Sequence, residues 1–214
     1  MKIGIVGGTG KLGYGLALRL GRAGHQVLIG SRHKAKALET ARKMQEMDVG
    51  MKVSGSSNPE IAGEAELIIL TIPFAGQEAI LQSLAENTVN KIVLDATVPL
   101  VFDRFPRYAP PEEGSAAQAV QKMLPKARVV SGLHTISAGL LADVQAEIEG
   151  DALICGDDEE AKKRVGEIMQ DIGLRCFDAG PLSNAQILER ITPMLIGLNK
   201  RYKRRHVGIK LTGI

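Results

Sequence analysis

The sequence predicts an α/β chain built on a doubly wound, mostly parallel sheet with a C-terminal helix and tail. Three observations predict it. Short apolar runs alternate with segments of helical period, the links between them are short, and a glycine-rich turn separates the first run from the first helical segment.

The elements follow in order. "KIGIVG" (2–7) is a continuous apolar run bounded by glycines, which suits a strand buried on both faces. "KLGYGLALRLGRAG" (11–24) has apolar residues at helical spacing, with Gly24 as the stop. "QVLIG" (26–30) is the second strand, and "KAKALETARKMQEM" (34–47) is a helix with a charged outer face. "MKVSG" (51–55) is a weak strand, while "ELIILTIP" (66–73) is a strong one that ends at Pro73. A helix at 76–86 and a strand at 91–99 come next. Residues 99–114 carry four of the nine prolines and read as a surface loop placed to cover a site. A helix at 115–124 takes Ser115 as its cap. "ARVVSGLH" (127–134) is a strand running into a turn, 152–158 is a strand, and an Asp caps the helix to 171. "LRCFDAG" (174–180) is the last strand. Residues 183–205 form one long helix kinked by Pro193.

Composition narrows the class. A chain of 214 residues, 44% hydrophobic and 24% charged, is an ordinary globular domain. Aromatic residues make up 3% and tryptophan is absent, so the core is aliphatic and base-stacking platforms are not expected. The net charge of +3 is too small to argue for nucleic acid. No apolar run reaches the roughly 18–20 residues that span a bilayer, and the chain starts directly on a strand, so a cytoplasmic protein without membrane contact is expected. Cys155 and Cys176 read as small core residues rather than a disulfide. His25, His33, His134 and His206 share no ligand spacing, so no metal site is expected; nor is there a nucleophile elbow or a P-loop.

The chemistry begins at "VGGTGKLG" (6–13), where Gly8-Thr9-Gly10-Lys11-Leu12-Gly13 matches G-x-G-x-x-G. The motif follows a strand and opens a helix, the context a dinucleotide site of the Rossmann-like fold requires. Glycine lets the backbone approach a pyrophosphate, and the amides of the helix start bind the anion. At the end of the second strand an NAD site places Asp or Glu on the ribose 2′-hydroxyl. Here stand Ser31, Arg32, His33 and Lys34, with Lys36 a turn later. Such a group favours the 2′-phosphate of NADP, through a hydroxyl donor, a forked guanidinium and a point charge.

In an open parallel sheet ligands lie beyond the carboxyl ends of the strands. Those ends are "LTIPF" (70–74), "DATVPL" (95–100) and "SGLHTISA" (131–138). His134 is the one histidine at a strand end. Its position suits an acid, a base or a hydrogen-bond donor, and equally a buried side chain.

Taken together, "GGTGKLGYGLALRL", "GSRHKAK", "LTIP", "SGLHTI", "CGDD", "DAGPLSN" and the closing "GIK" resemble the F420H2:NADP oxidoreductases, which pass hydride between NADP and the deazaflavin coenzyme F420. The glycine motif is common to many reductases; "GLHTI" and "DAGPLSN" at compatible spacing are the specific part. The resemblance implies that Thr9, Gly10, Lys11 and Leu12 bind the pyrophosphate and that Ser31, Arg32 and Lys36 bind the 2′-phosphate. It implies that Ile72, Phe74, Val98 and Ala138 line the ribose and nicotinamide side, largely through backbone. His134 then lies beside the deazaflavin as a positioning residue, and Val207 and Gly208 touch that coenzyme from the C-terminus. It further implies a homodimer, and a single domain over 1–214 in which 183–214 serve the second coenzyme and the dimer contact. No essential catalytic side chain is expected, because the two coenzymes carry the chemistry.

"KRYKRRH" (200–206) puts six basic side chains, His206 included, into seven residues. It reads as a solvated helix end or as a contact to the anionic tail of the coenzyme. The competing functions are an NADPH-dependent reductase using FMN, FAD or ferric iron, and a non-catalytic NADP-sensing domain. A hydroxyacid or imine dehydrogenase would need more residues after the sheet than the chain has.

Overall fold

The computed structural model describes all residues, Met1–Ile214. In chain order the elements are β1 (Lys2–Val6), α1 (Lys11–Arg22), β2 (Gln26–Ser31), α2 (Lys34–Met47), β3 (Val53–Ser57), α3 (Asn58–Glu64), β4 (Leu67–Leu70), α4 (Gln77–Leu84) and β5 (Ile92–Asp95). There follow β6 (Leu100–Phe102), β7 (Pro106–Tyr108), α5 (Ala116–Met123), β8 (Arg128–Gly132), α6 (Ala138–Ala142), β9 (Ala152–Gly156), α7 (Glu159–Asp171), β10 (Cys176–Asp178) and α8 (Ala185–Arg201).

Eight strands form one sheet in the order β10-β9-β8-β5-β4-β1-β2-β3. From β3 to β8 every pairing is parallel, which is the doubly wound arrangement with its order reversing between β1 and β4. The exception is β9, antiparallel to β8 with Gly132 opposite Ile154; β10 then runs parallel to β9.

Strand residues alternate between two apolar layers, as buried parallel strands must. Ile3, Ile5, Val27, Ile29, Leu67 and Ile69 pack with Leu16, Leu20 and Met44 on one face. Val6, Leu28, Ile68, Leu70 and Val93 pack with Ile61, Leu81, Val120 and Leu188 on the other. Each fully buried Ile or Leu contributes roughly 1.5–3 kcal/mol of transfer free energy, so this two-sided aliphatic core needs no tryptophan. No helix is long and apolar enough to cross a membrane.

The structure departs from the sequence expectations at several places. Residues 99–114 are not wholly irregular: β6 and β7 make a small antiparallel hairpin, Leu100 opposite Tyr108. Two helices went unread. One is α3, whose Ser57 and Glu60 form a reciprocal capping box; the other is the five-residue α6. The long C-terminal helix is shorter than expected at both ends. A 3₁₀ turn at Leu182–Asn184 precedes α8, which stops at Arg201 because the chain turns there, so most of the basic run lies beyond it. Strand β8 ends at Gly132, leaving His134 in the following turn. Ser115 and Asp158 cap α5 and α7 as expected, accepting from the amides of Gln118 and Ala161. Both cysteines are free thiols.

Candidate active site at the carboxyl ends of the strands

The glycine turn is built for close approach. Gly7 sits at φ 78°, a left-handed conformation that favours glycine, and a Cβ on Gly13 would come within 2.6 Å of the Gly8 Cα. These two positions bring α1 hard against the end of β1. The N-terminus of α1 carries no side-chain cap and no acidic residue in its first turn, which leaves its amides open to an anion.

A crevice of roughly 460 Å³ opens beside this turn. It gathers Thr9, Gly10, Ser31, Arg32, Lys36 and Ile72, six of the residues expected to hold NADP. Ser31 is buried and accepts the His33 amide at 3.2 Å, which leaves its hydroxyl proton to donate. Arg32 and Lys36 are exposed and make no ion pair. Lys34 differs: its ammonium is bound by both oxygens of Glu60, at 2.9 and 3.0 Å. Hydrogen bonds from Ser56, Lys34 and Ser57 hold the Glu60 carboxyl down at about 2, so the pairing persists at any ordinary pH. The start of α2 therefore presents two unpaired cations and one free hydroxyl, and no acid in the first turn.

The crevice also takes in His33, from the basic group after β2, Thr71, from the end of β4, and Asn58, which sequence reasoning did not place there. Asn58 opens α3, and its Oδ1 faces the Gly7 amide at 3.4 Å. The capping-box pattern around Ser57 was the signal that would have placed it. Thr71 ties β4 to β1 by donating its hydroxyl to the Val6 carbonyl at 3.0 Å.

Lys11 and Ala138 lie together in a second hollow, with Thr9, Gly10, Tyr14, Gly139 and Ala142. This hollow sits between α1 and α6. Arg19 holds the two together: its guanidinium donates to the carbonyls of Leu140, Leu141, Asp143 and Ala146, at 3.1, 3.0, 2.7 and 2.8 Å. A third cavity, of roughly 320 Å³, lies on the far side of α6 and takes in Ile136, Ser137, Leu140, Gly150, Gly208 and Ile209. The C-terminal tail closes its wall, fixed by Asp151, whose amide donates to the Ile209 carbonyl at 2.7 Å while its carboxylate accepts the Leu211 amide at 2.6 Å.

Leu12, Phe74, Val98, His134 and Val207 line none of these three cavities. Leu12 packs on the core, and Val207 donates its amide to Asn199 Oδ1 at 3.0 Å. His134 is 6% exposed, with neither ring nitrogen hydrogen-bonded, and burial pushes it down to about 4. The imidazole is neutral at neutral pH. Its carbonyl accepts the Thr192 hydroxyl at 2.9 Å, which ties the turn to α8.

Beneath the strand ends lies a buried polar group that sequence reasoning passed over. Asp95, at the end of β5, is fully buried; Oδ1 accepts the Thr97 amide at 3.2 Å and Oδ2 has no partner. Burial raises it to about 7, the Glu189 charge pushes the same way, and Thr97 opposes both. Glu189, on α8, accepts the Tyr108 hydroxyl at 2.8 Å and the amides of Ala116 and Ala117 at 3.0 and 3.2 Å. One carboxylate thus caps α5 and holds the hairpin.

Comparison with known proteins places this architecture. The profile of the family described as "NADP oxidoreductase coenzyme F420-dependent" matches residues 2–99. The chain is 39% identical over 222 aligned positions to the F420-dependent NADP reductase of Methanocaldococcus jannaschii, covering 100% of this chain and 99% of that protein. It is 40% identical, with the same coverage, to the F420-dependent NADP reductase of Methanothermobacter marburgensis. Among solved structures, a putative F420-dependent NADP reductase from Arthrobacter sp. FB24 superposes with a TM-score of 0.85 at 27% identity, over 99% of both chains. These full-length similarities establish that the chain belongs to the family of F420-dependent NADP reductases.

Proposed function

We propose that this chain passes a hydride between NADP(H) and coenzyme F420, with NADP in the crevice between α1 and the end of β2 and the deazaflavin against α6 and the C-terminal tail. The single observation that carries the reading is the pair of unpaired cations, Arg32 and Lys36, with the Ser31 hydroxyl, where an NAD site would hold a carboxylate. When bound, the coenzymes supply the redox chemistry, one ring carbon giving up the hydride that another accepts.

The residues of the chain have simpler tasks. The amides at the start of α1, around Thr9, Gly10, Lys11 and Leu12, hold the pyrophosphate. Ile72, Phe74, Val98 and Ala138 border the nicotinamide side through backbone and apolar surface. His134, buried and neutral, gives shape and supplies no proton, as befits a reaction whose ring-to-ring step depends on alignment. Residues 183–214, including Val207 and Gly208, complete the second site and the dimer contact of a single-domain enzyme working in the cytoplasm.

Mixing the protein with NADPH and oxidised F420 should bleach the coenzyme's visible absorbance, whereas FMN and ferric chelate in parallel should leave NADPH unoxidised. Arg32→Ala should narrow the preference for NADPH over NADH by about tenfold, the worth of one charge-assisted hydrogen bond. Oxidation of NADPH by no acceptor would make the chain an NADP sensor, and oxidation by flavin or iron alone would make it a different reductase.

A further inference from the structure

The basic run is not a loose extension of α8. The helix ends in a closed turn in which the Tyr202 amide donates to the Leu198 carbonyl and the Arg204 amide to the Asn199 carbonyl, both at 2.9 Å. Lys203 occupies the left-handed position of this turn, at φ 52°, where glycine would cost less. Beyond it, Asn199 Oδ1 catches the Val207 amide at 3.0 Å, and His206 Nδ1 meets Ser137 Oγ at 2.7 Å. Ser137 is the residue before α6, so the turn is pinned at both ends beside the cavity that His206, Gly208 and Ile209 line.

Lys203, Arg204 and Arg205 are exposed on this turn, and no carboxylate lies within ion-pair distance of any of them. Glu147 and Glu149 line the same cavity without reaching them. A favourable interaction with the helix dipole does not account for the three, because that effect fades within the last turn and they lie past the end of α8. Lys200 is different, engaged with the Phe105 ring and the Arg104 carbonyl. What remains is three unpaired cations on a pinned turn whose next residue, His206, lines the cavity.

We propose that Lys203, Arg204 and Arg205 form a subsite for the anionic side chain of the deazaflavin coenzyme, the phosphate and glutamate carboxylates that trail from its ring. The proposal rests on the hydride-transfer reading and adds to it a part of the coenzyme that does no chemistry. Because the backbone of the turn is already pinned, only the side chains give up freedom when a flexible polyanion settles on them.

The test compares F420 with a deazaflavin cut back to its ring and ribityl chain, which carries no phosphate or glutamate. Steady-state constants for both are measured for the wild type and for Lys203→Gly/Arg204→Gln/Arg205→Gln, in which glycine keeps the left-handed turn. The variant's KM for F420 should rise about five- to tenfold, and raising salt from about 0.02 M to about 0.3 M should raise the wild-type KM by a similar factor. Its kcat, its KM for the cut-back compound and its NADPH affinity should stay within about twofold, the scatter of such constants. An unchanged KM for F420, an equal rise for both deazaflavins, or an equal loss of NADPH affinity would overturn the subsite. Turnover of the cut-back compound by the wild type separates the two readings, since its persistence keeps hydride transfer standing when the subsite fails. Absence of turnover with either deazaflavin overturns both.

Discussion

Asp95 carries a cost that pH controls. A carboxyl held at about 7 in the folded chain keeps its proton where the unfolded chain, ionising near 3.9, has lost it. The folded state binds more protons across that window, so stability falls as pH rises from about 4 to about 7 and stays lower above it. Asparagine keeps the neutral form at every pH. Asp95→Asn should therefore be little different from wild type at about pH 4 and more stable by on the order of 1–3 kcal/mol at about pH 8, read from urea unfolding. His134 titrates alike in both proteins and cancels; a difference that does not change with pH would refute the assignment. Residues of this kind were hidden in the sequence. The cluster Ser31-Arg32-Lys36 was legible because its chemistry is local to one strand end. Glu189, whose charge acts on Asp95, is held by Tyr108, Ala116 and Ala117, which lie 81, 73 and 72 residues away in the chain, and the diversion of Lys34 to Glu60 depends on the short helix α3.

At the level of elements, Arg19 does for α6 what no local sequence preference could. Five residues are too few to hold a helix in water, and α6 persists because one guanidinium on α1 gathers four carbonyls around it. Arg19→Ala should lower unfolding stability by about 2 kcal/mol and raise KM for F420 more than KM for NADPH, because α6 walls the cavity proposed for F420 and borders the NADP side only through Ala138 and its neighbours. Parallel titration of both coenzymes checks this, and an equal loss for both would refute it. The same length argument explains what was legible. Strands such as Leu67–Leu70 and helices such as Lys11–Arg22 showed their period, whereas α6, β6 and β7 are too short to show one. The direction of β9 was invisible for another reason: a buried strand has the same residue pattern whichever way it runs.

For the whole molecule, a group of exposed apolar side chains lies along α8 and the hairpin. Ile187 and Met194 fall on one stripe of the helix, and Phe102, 72% exposed, stands at the hairpin. A surface of this kind suits a second copy of the chain across a two-fold axis. Light scattering should return twice the 22.9 kDa of one chain, and Phe102→Ser with Ile187→Ser should return the single mass. A monomeric wild type would remove the dimer from the reading.

The backward run of β9 has an architectural consequence. Had that strand been parallel, residues 143–151 would have had to cross to the opposite end of the sheet, and Asp151 with them. Because it runs the other way, the chain re-enters the sheet from the same edge at which β8 left it, and Asp151 is on hand to anchor the final residues. Helix α8 then climbs from the far end past Glu189 and Thr192 to deliver its basic turn there. One reversed strand thus turns what would be the back of the sheet into a second visit to its mouth, so the last residues of the chain and the glycine turn lie at one end.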